Sequence, residues 1–438
     1  MMDFSLAKIK KRGMELLKQH PKISSIFILL CANVFNNLVT FVVNIFLAKK
    51  LGPEIFGIFS IAVSTMMVVN FISELGLALG MVRFYNFYQK EEKKQRLILS
   101  SLFIFRTFII LSLFGISVPL GILLAKILQL DSGLQPLLSI AIMSGAILTM
   151  WIYLQNFFQA HREFSKLSRY IFAYAIFRVL CLILLYFIYT NTLNITAVLT
   201  SLYTIPVMLI TLIGMIPVAI YLFQKGFPYF SNILKTVIKV LKYSKWVVVS
   251  GISYNLILRS IQFILAFRSS KHELGIFSAG LVFTAAITTL NIAVRTVFFP
   301  HVTAFEKIKD MQRHLMKIKK VFPYYTILMV ISIAILAIVQ VVFLGNDYAI
   351  ALPVFLITSV ALALTIFMGL VSMLLHTLMR PEVESFTNIG RLILVVLLVY
   401  FLAPSFGAVG SAVGYAIPVV FGELFMVFFV RKMIYETN

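Results

Sequence analysis

The sequence predicts an all-α polytopic membrane protein of about 12 transmembrane helices, in two six-helix lobes related by a parallel repeat. Three observations predict it. Of the 438 residues, 61% are hydrophobic and 12% charged, where a soluble domain carries about half and about a quarter. The chain reads as long apolar runs separated by short charged or turn-forming breaks. The two halves also share identities at one fixed shift. Such a composition excludes a cytosolic enzyme, a secreted disulfide scaffold and a single-anchor receptor.

A membrane-crossing helix needs about 20 mostly apolar residues, and the breaks divide the chain accordingly. The first run, 23–48, ends at Lys49-Lys50 and Gly52-Pro53, and the second, 56–82, ends at Arg83. The third, 97–125, lies between Arg96 and Lys126, and the fourth, 135–160, between Gly133 and Arg162. After Arg169 come 170–189 and 196–223, parted by Asn191 and Asn194. After Lys245 come 246–267 and 275–299, parted by Arg268 and Lys271. The ninth, 322–344, follows Lys319-Lys320 and stops at Gly345. The last three are 350–378, 387–402 and 408–430, broken at Arg380-Pro381 and Pro404 and closed by Arg431-Lys432. The lysine-rich start precedes a full-length span with no small-residue cleavage site, so the first helix is expected to be retained.

Lys+Arg number 38 against 16 Asp+Glu, a net charge of +22. In a soluble chain that would point to nucleic acid, but here the position of the charges decides, and no nucleic-acid partner is expected. Placing the N-terminus in the cytoplasm puts 29 basic loop residues on that side and 5 (Lys49, Lys50, Lys126, Arg268, Lys271) on the other. The positive-inside rule then places both termini in the cytoplasm. Four arginines remain inside predicted helices: Arg106, Arg178, Arg259 and Arg295. The two cysteines, Cys31 and Cys181, lie far apart in apolar runs and are expected to be buried free thiols.

At a shift of 218 residues, Gly57-Ile58-Phe59-Ser60 recurs as Gly275-Ile276-Phe277-Ser278, Leu47-Ala48 as Leu265-Ala266, and Asn37-Leu38 as Asn255-Leu256. Eight identities in one register argue for duplication, giving an N-terminal lobe of residues 1–228 and a C-terminal lobe of 229–438. Six helices per lobe preserve orientation, and sites in such transporters lie between the repeats. The connector from Ser231 to Trp246 sets Ile233, Val237 and Leu241 on one face and Lys235, Lys239 and Lys242 on another, which suits a helix at the membrane surface whose lysines meet anionic lipid.

Phosphate loops, zinc-protease motifs and nucleophile elbows are absent from the sequence, so transport driven by a gradient is expected rather than catalysis. No cofactor is expected, with possible coupling to H+ or Na+. A charge at mid-helix costs on the order of 3 kcal/mol on insertion scales and marks a cavity or a partner. Two acids, Glu74 and Glu423, cannot neutralise four guanidiniums, which predicts a solvated cationic cavity. Polar stripes accompany the charges. Gly251, Asn255, Arg259 and Gln262 share a face, as do Thr284, Thr288, Asn291 and Arg295. In the first helix Asn33, Asn37, Thr40 and Asn44 do the same, and under the shift Asn37 overlies Asn255 and Asn44 overlies Gln262. The candidate substrate-binding residues are therefore Arg259, Arg295, Arg106, Arg178, Asn33, Asn37, Asn44, Asn255, Gln262 and Asn291, with Glu74 a coupling or ion-pair candidate. Arg178, four residues beyond Tyr174, is the one best placed to stack within its own helix.

The stretch Leu51-Gly52-Pro53-Glu54, with Phe56-Gly57, Glu74-Leu75-Gly76 and Val82-Arg83-Phe84, resembles the opening of bacterial polysaccharide and O-antigen flippases. These are the Wzx-type members of the superfamily that also holds lipid II flippases and multidrug and toxic compound extruders. Phe158-Gln159-Ala160 with Arg162 and Lys166, and Phe406-Gly407-Ala408-Val409-Gly410-Ser411-Ala412, resemble later segments. The resemblance spans nearly the whole chain. It implies a twelve-helix, two-lobe protein of the bacterial inner membrane that flips undecaprenyl-diphosphate-linked oligosaccharide to the outer leaflet by alternating access. Membrane lipids and polysaccharide polymerase machinery would be its partners. Glu74 and Gly76 carry over by motif, the arginines by chemistry alone. The first helix here carries asparagines where the lipid II flippases have basic residues. The rival readings are a drug or cation antiporter of the same fold, expected to line its cavity with carboxylates, and a membrane polymerase or glycosyltransferase, expected to carry larger loops.

Overall fold

A computed structural model describes residues 21–188, 194–224, 230–303, 305 and 308–436. Side chains at 290–301 and at a few helix ends lie outside the described set, as do the basic N-terminal residues and the expected lobe boundary at 228/229. The described residues form α1 (Pro21–Glu74), α2 (Leu77–Phe87), α3 (Glu92–Ile127), α4 (Gln135–Ala160), α5 (Phe164–Ile188), α6 (Ile195–Leu199) and α7 (Ile205–Phe223). The second half holds α8 (Phe230–Arg268), α9 (Lys271–Thr303), α10 (Ile308–Leu344), α11 (Ala351–Ser372), α12 (Leu374–Thr377) and α13 (Pro381–Glu436). No strand occurs among the described residues. In hydrocarbon only structures that pair every backbone group internally are viable, which selects helices for apolar runs of this length.

Among the described residues, nine helical stretches are long and apolar enough to cross a membrane. Two of them, of 61 and 56 residues, far exceed the roughly 20 that one crossing uses. Each is broken by a glycine at positive φ, Gly52 (φ 74°) in α1 and Gly407 (φ 52°) in α13. A side chain at 407 would also run into the Glu273 carboxylate. That carboxylate accepts from the Ala408 amide at 2.7 Å, so it caps the second arm of α13 at the positive end of its dipole. The chain is a multi-pass membrane protein.

Three expectations need correction. The connector is continuous with the next span in α8, and it buries Ile233, Val237 and Val240 against α2 and α3, with Leu241 only partly covered. Lys235, Lys239 and Lys242 remain exposed. Arg391, counted among loop residues, is a buried side chain of α13, because that helix starts at Pro381, ahead of its apolar window. Cys31 is exposed rather than buried, though both cysteines are free.

The apolar cores show how the halves meet. One core combines both halves: Val43, Leu47, Phe56 and Phe59 with Ile257, Leu265, Phe277 and Phe283. Of the other two, one gathers Met81, Leu102, Trp151 and Leu222 of the first half around Ile233, Val237 and Val240 at the start of α8, and the other holds Met311, Leu315, Leu374 and Val430 of the second half alone. The shared core surrounds the Gly52 and Gly407 turns. The separate cores surround the opposite helix ends, where Arg83, Lys94, Arg162 and Lys317 lie. The halves therefore share a core on one face, and on the basic one they meet through the start of α8.

At the joined face, α1 and α9 touch backbone to backbone. A Cβ at Gly57 would collide with the Lys271 carbonyl, and one at Gly275 with the Pro53 carbonyl. The pairing is reciprocal under the 218-residue shift, since 57 corresponds to 275 and 53 to 271. Tyr348 adds a second tie, its hydroxyl donating to the Ala48 carbonyl at 2.7 Å.

Candidate functional site

Between the halves lies a cavity of about 680 Å³, lined from both arms of α1, from α8 and α9, and by Tyr203, Leu336, Leu362, Tyr415 and Val419. Its inner end is tightly closed. Gln262 is buried there and joins three elements: its carbonyl accepts from Ser64 of α1 and from Arg259 (3.0 Å), and its amide donates to Ser278 of α9 at 3.1 Å. Nearby, Tyr203 donates to the Asn44 carbonyl oxygen at 3.3 Å. Toward the basic face the lining becomes exposed, at Val34, Leu38, Tyr254, Ala285 and Ala286. The cavity thus opens toward the basic face.

The structure brings Asn37, Asn44, Asn255, Arg259 and Gln262 together on this lining, with Thr40, Thr284 and Thr288 of the same stripes. Several of these amides first satisfy their own helices: Asn44 donates to the Thr40 carbonyl and Asn255 to the Gly251 carbonyl, both at 2.8 Å. The side-chain oxygen of Asn44 is the one that accepts from Tyr203. Asn37 also reaches across the halves to Thr289 at 3.4 Å. Asn33 lies outside the lining and donates to the Leu29 carbonyl. The side chains of Asn291 and Arg295 fall outside the described residues, so their candidacy rests on the sequence pattern alone.

The remaining intramembrane charges separate by partner. Arg106, 0% exposed, donates to the Thr149 carbonyl at 2.7 Å and to Glu74 at 3.2 Å, and lies over the Tyr153 ring. Glu74 in turn accepts from the amides of Gly76 (2.7 Å) and Ala78 (2.6 Å). It therefore caps α2 just past a break where Leu75 and Gly76 both take positive φ. Arg391 donates to Glu423 at 2.6 Å, and Ser372 donates to the other carboxylate oxygen, also at 2.6 Å. Both expected acids are thus engaged away from the cavity. Arg259 holds the only charge among the described lining residues. Arg178 donates to Thr40 at 2.7 Å but is itself behind the wall.

Sequence reasoning missed the aromatic part of the wall: Phe41, Phe56, Phe59, Phe71, Tyr203, Tyr254 and Tyr415. In a chain with 41 Phe and 18 Tyr, aromatic residues facing lipid and facing a cavity share one composition. Tyr203 carries a subtler signal, standing in the hydroxyl-rich segment three residues before Pro206.

Comparison with solved structures supports this architecture. The fold is similar to a lipid II flippase, MurJ, in an inward closed conformation, with TM-score 0.73, 17% identity, and coverage of 92% of this chain and 87% of that one. It is also similar to a multidrug resistance MATE family transporter of the MOP superfamily in its inward-facing conformation (0.71, 14%, 92% and 95%). The outward-facing conformation of such a transporter fits at 0.61, with 12% identity over 97% and 98% of the two chains. No curated protein matches by sequence. The profile of the family described as polysaccharide biosynthesis protein matches residues 23–306, well over half of the sequence, and the chain belongs to that family.

Proposed function

We propose that this protein flips undecaprenyl-diphosphate-linked oligosaccharide, an O-antigen or other surface polysaccharide unit, from the cytoplasmic to the outer leaflet of the bacterial inner membrane. The observation that carries the proposal is Arg259 on the wall of an inter-half cavity whose other polar groups are amides and hydroxyls. A diphosphate cannot cross hydrocarbon bare, and a guanidinium binds phosphate oxygens through two parallel charge-assisted bonds. Amides and aromatic faces suit sugars, and the lipid tail can remain in the bilayer. An antiporter for cationic drugs would place its own charge beside Arg259, a like-charge contact in a low-dielectric cavity. Family membership supports a polysaccharide-related cargo, and the better superposition on the inward-facing than on the outward-facing multidrug transporter supports an inward-facing state with the basic face and both termini in the cytoplasm.

The two lobes, 1–228 and 229–438, would rock against each other, making and breaking the Gly57/Gly275 contact, to expose the cavity alternately. The test is polysaccharide export in a deletion strain. Arg259→Ala should cut export about tenfold to a hundredfold at normal membrane abundance and leave diphosphate-linked oligosaccharide on the inner leaflet, while Arg259→Lys retains more export. Normal export from Arg259→Ala would overturn the proposal.

A further inference from the structure

Arg178 stands apart from the other described arginines of the bundle. It is 2% exposed, its Nε and Nη2 have no hydrogen-bond partner, and among the described residues no carboxylate lies within ion-pair distance. Arg106 and Arg391 each hold an acid. A buried guanidinium left without one is costly, and desolvated donors normally find acceptors. What covers it instead is aromatic: Tyr174 with its ring centre 5.5 Å away and Tyr203 at 4.7 Å.

Tyr203 belongs to the cavity wall as well. It sits on a π-helical turn, Thr200–Thr204, between α6 and α7. Such turns push a side chain out of helical register and recur at functional sites. Among the described residues the hydroxyl of Tyr203 is tethered only through a 3.3 Å bond to Asn44, and Thr40, which there receives the single Arg178 side-chain bond, lines the cavity too. Arg178 therefore contacts the cavity's wall from behind, through two residues that cargo would touch.

We propose that Arg178 is a covered second ligand for the cargo's phosphate groups, exposed when Tyr203 rotates away from its face. This rests on the reading that the cavity receives an anionic diphosphate headgroup. Arg178 belongs to the first half and Arg259 to the second. A diphosphate held by both ties the halves together across the cavity, so cargo binding itself favours closure over the headgroup. Without cargo, Tyr203 lends its ring face to the guanidinium and keeps the cation from meeting water or lipid.

The test titrates the purified full chain with inorganic diphosphate, with sulfate as the control, following thermal stabilisation. Tyr203→Ala removes the cover and should tighten diphosphate binding by about threefold to tenfold, the scale of one cation–π contact. Adding Arg178→Gln to Tyr203→Ala should cancel that gain, and Arg178→Lys should cancel about half of it. Tyr203→Ala that folds but binds no more tightly, or a gain that survives Arg178→Gln, would overturn the proposal. In either case, loss of binding in Arg259→Gln shows that the anionic-headgroup reading still stands. Binding unaffected by Arg259→Gln as well as by the Arg178 changes removes both readings together.

Discussion

Four intramembrane arginines with described side chains differ in one respect that sets their roles, namely which acceptor each one holds. Arg391 and Glu423 are 4% and 7% exposed and 2.6 Å apart, so each neutralises the other's burial. Removing one member of a buried pair leaves an uncompensated charge and costs about 3–5 kcal/mol. Arg391→Gln should accordingly lower membrane abundance and thermal stability. The double variant Arg391→Met, Glu423→Met should recover much of both, and no recovery would show that the pair is not the source of the loss. Among the described residues Arg259 has only Gln262 as a side-chain partner. Its replacement by Ala should leave abundance near wild type while export falls about tenfold to a hundredfold, the scale of one charge-assisted hydrogen bond. Glu74→Gln keeps shape but removes the charge that caps α2 and pairs with Arg106, so stability should fall about 2–3 kcal/mol. Unchanged melting with lost transport would instead mark Glu74 as a proton carrier. The sequence disclosed that charges lie inside the bundle, because charged residues stand out in apolar runs. It could not disclose the Arg391–Glu423 pair, which forms between two arms of one helix joined at Gly407, nor the engagement of Glu74 with Arg106, 32 residues on.

The helices were largely legible because their cause is local: an apolar run in hydrocarbon has no alternative to intrahelical pairing. Their ends were not. Hydropathy marks where a segment is apolar, whereas α8, α10 and α13 continue as amphipathic helix beyond it, from Phe230, Ile308 and Pro381. Breaks depend on single residues. Gly407 adopts a left-handed conformation against the Glu273 carboxylate, and left-handed backbone costs other residues roughly 1–2 kcal/mol. Gly407→Ala should therefore lower the melting temperature and loosen the cap at Ala408. Gly115, in the interior of α3 with open space where a Cβ would stand, is the matched comparison. Gly115→Ala should stabilise by up to about 1 kcal/mol through helix propensity. Equal melting of the two variants would show that the turn at 407 is not conformationally demanding.

On the scale of the whole molecule, the contact between α1 and α9 and the core shared around it describe a bundle closed on one face. The 218-residue shift anticipated which glycines matter, because Gly57 and Gly275 are partners in one reciprocal contact, each allowing the other's chain to approach. Shape was not legible, since whether two cores merge or separate depends on packing between helices far apart in sequence. If this face must open for cargo to leave, tying it shut should stop transport without harming the fold. Cysteines at Ala48 and Tyr348, where a 2.7 Å hydrogen bond now crosses the halves, can be joined by a short bifunctional thiol reagent in a background with Cys31 and Cys181 replaced. Export should cease on joining and return when a cleavable linker is cut. Gly57→Leu works in the opposite sense, because its side chain cannot fit against the Lys271 carbonyl. It should prop the face open, making a cysteine at Asn44 reactive to an impermeant reagent added from outside the cell, where the wild-type background is protected. Continued export with the Ala48/Tyr348 link intact would mean that the halves do not part on this face, and the rocking mechanism would fall with it.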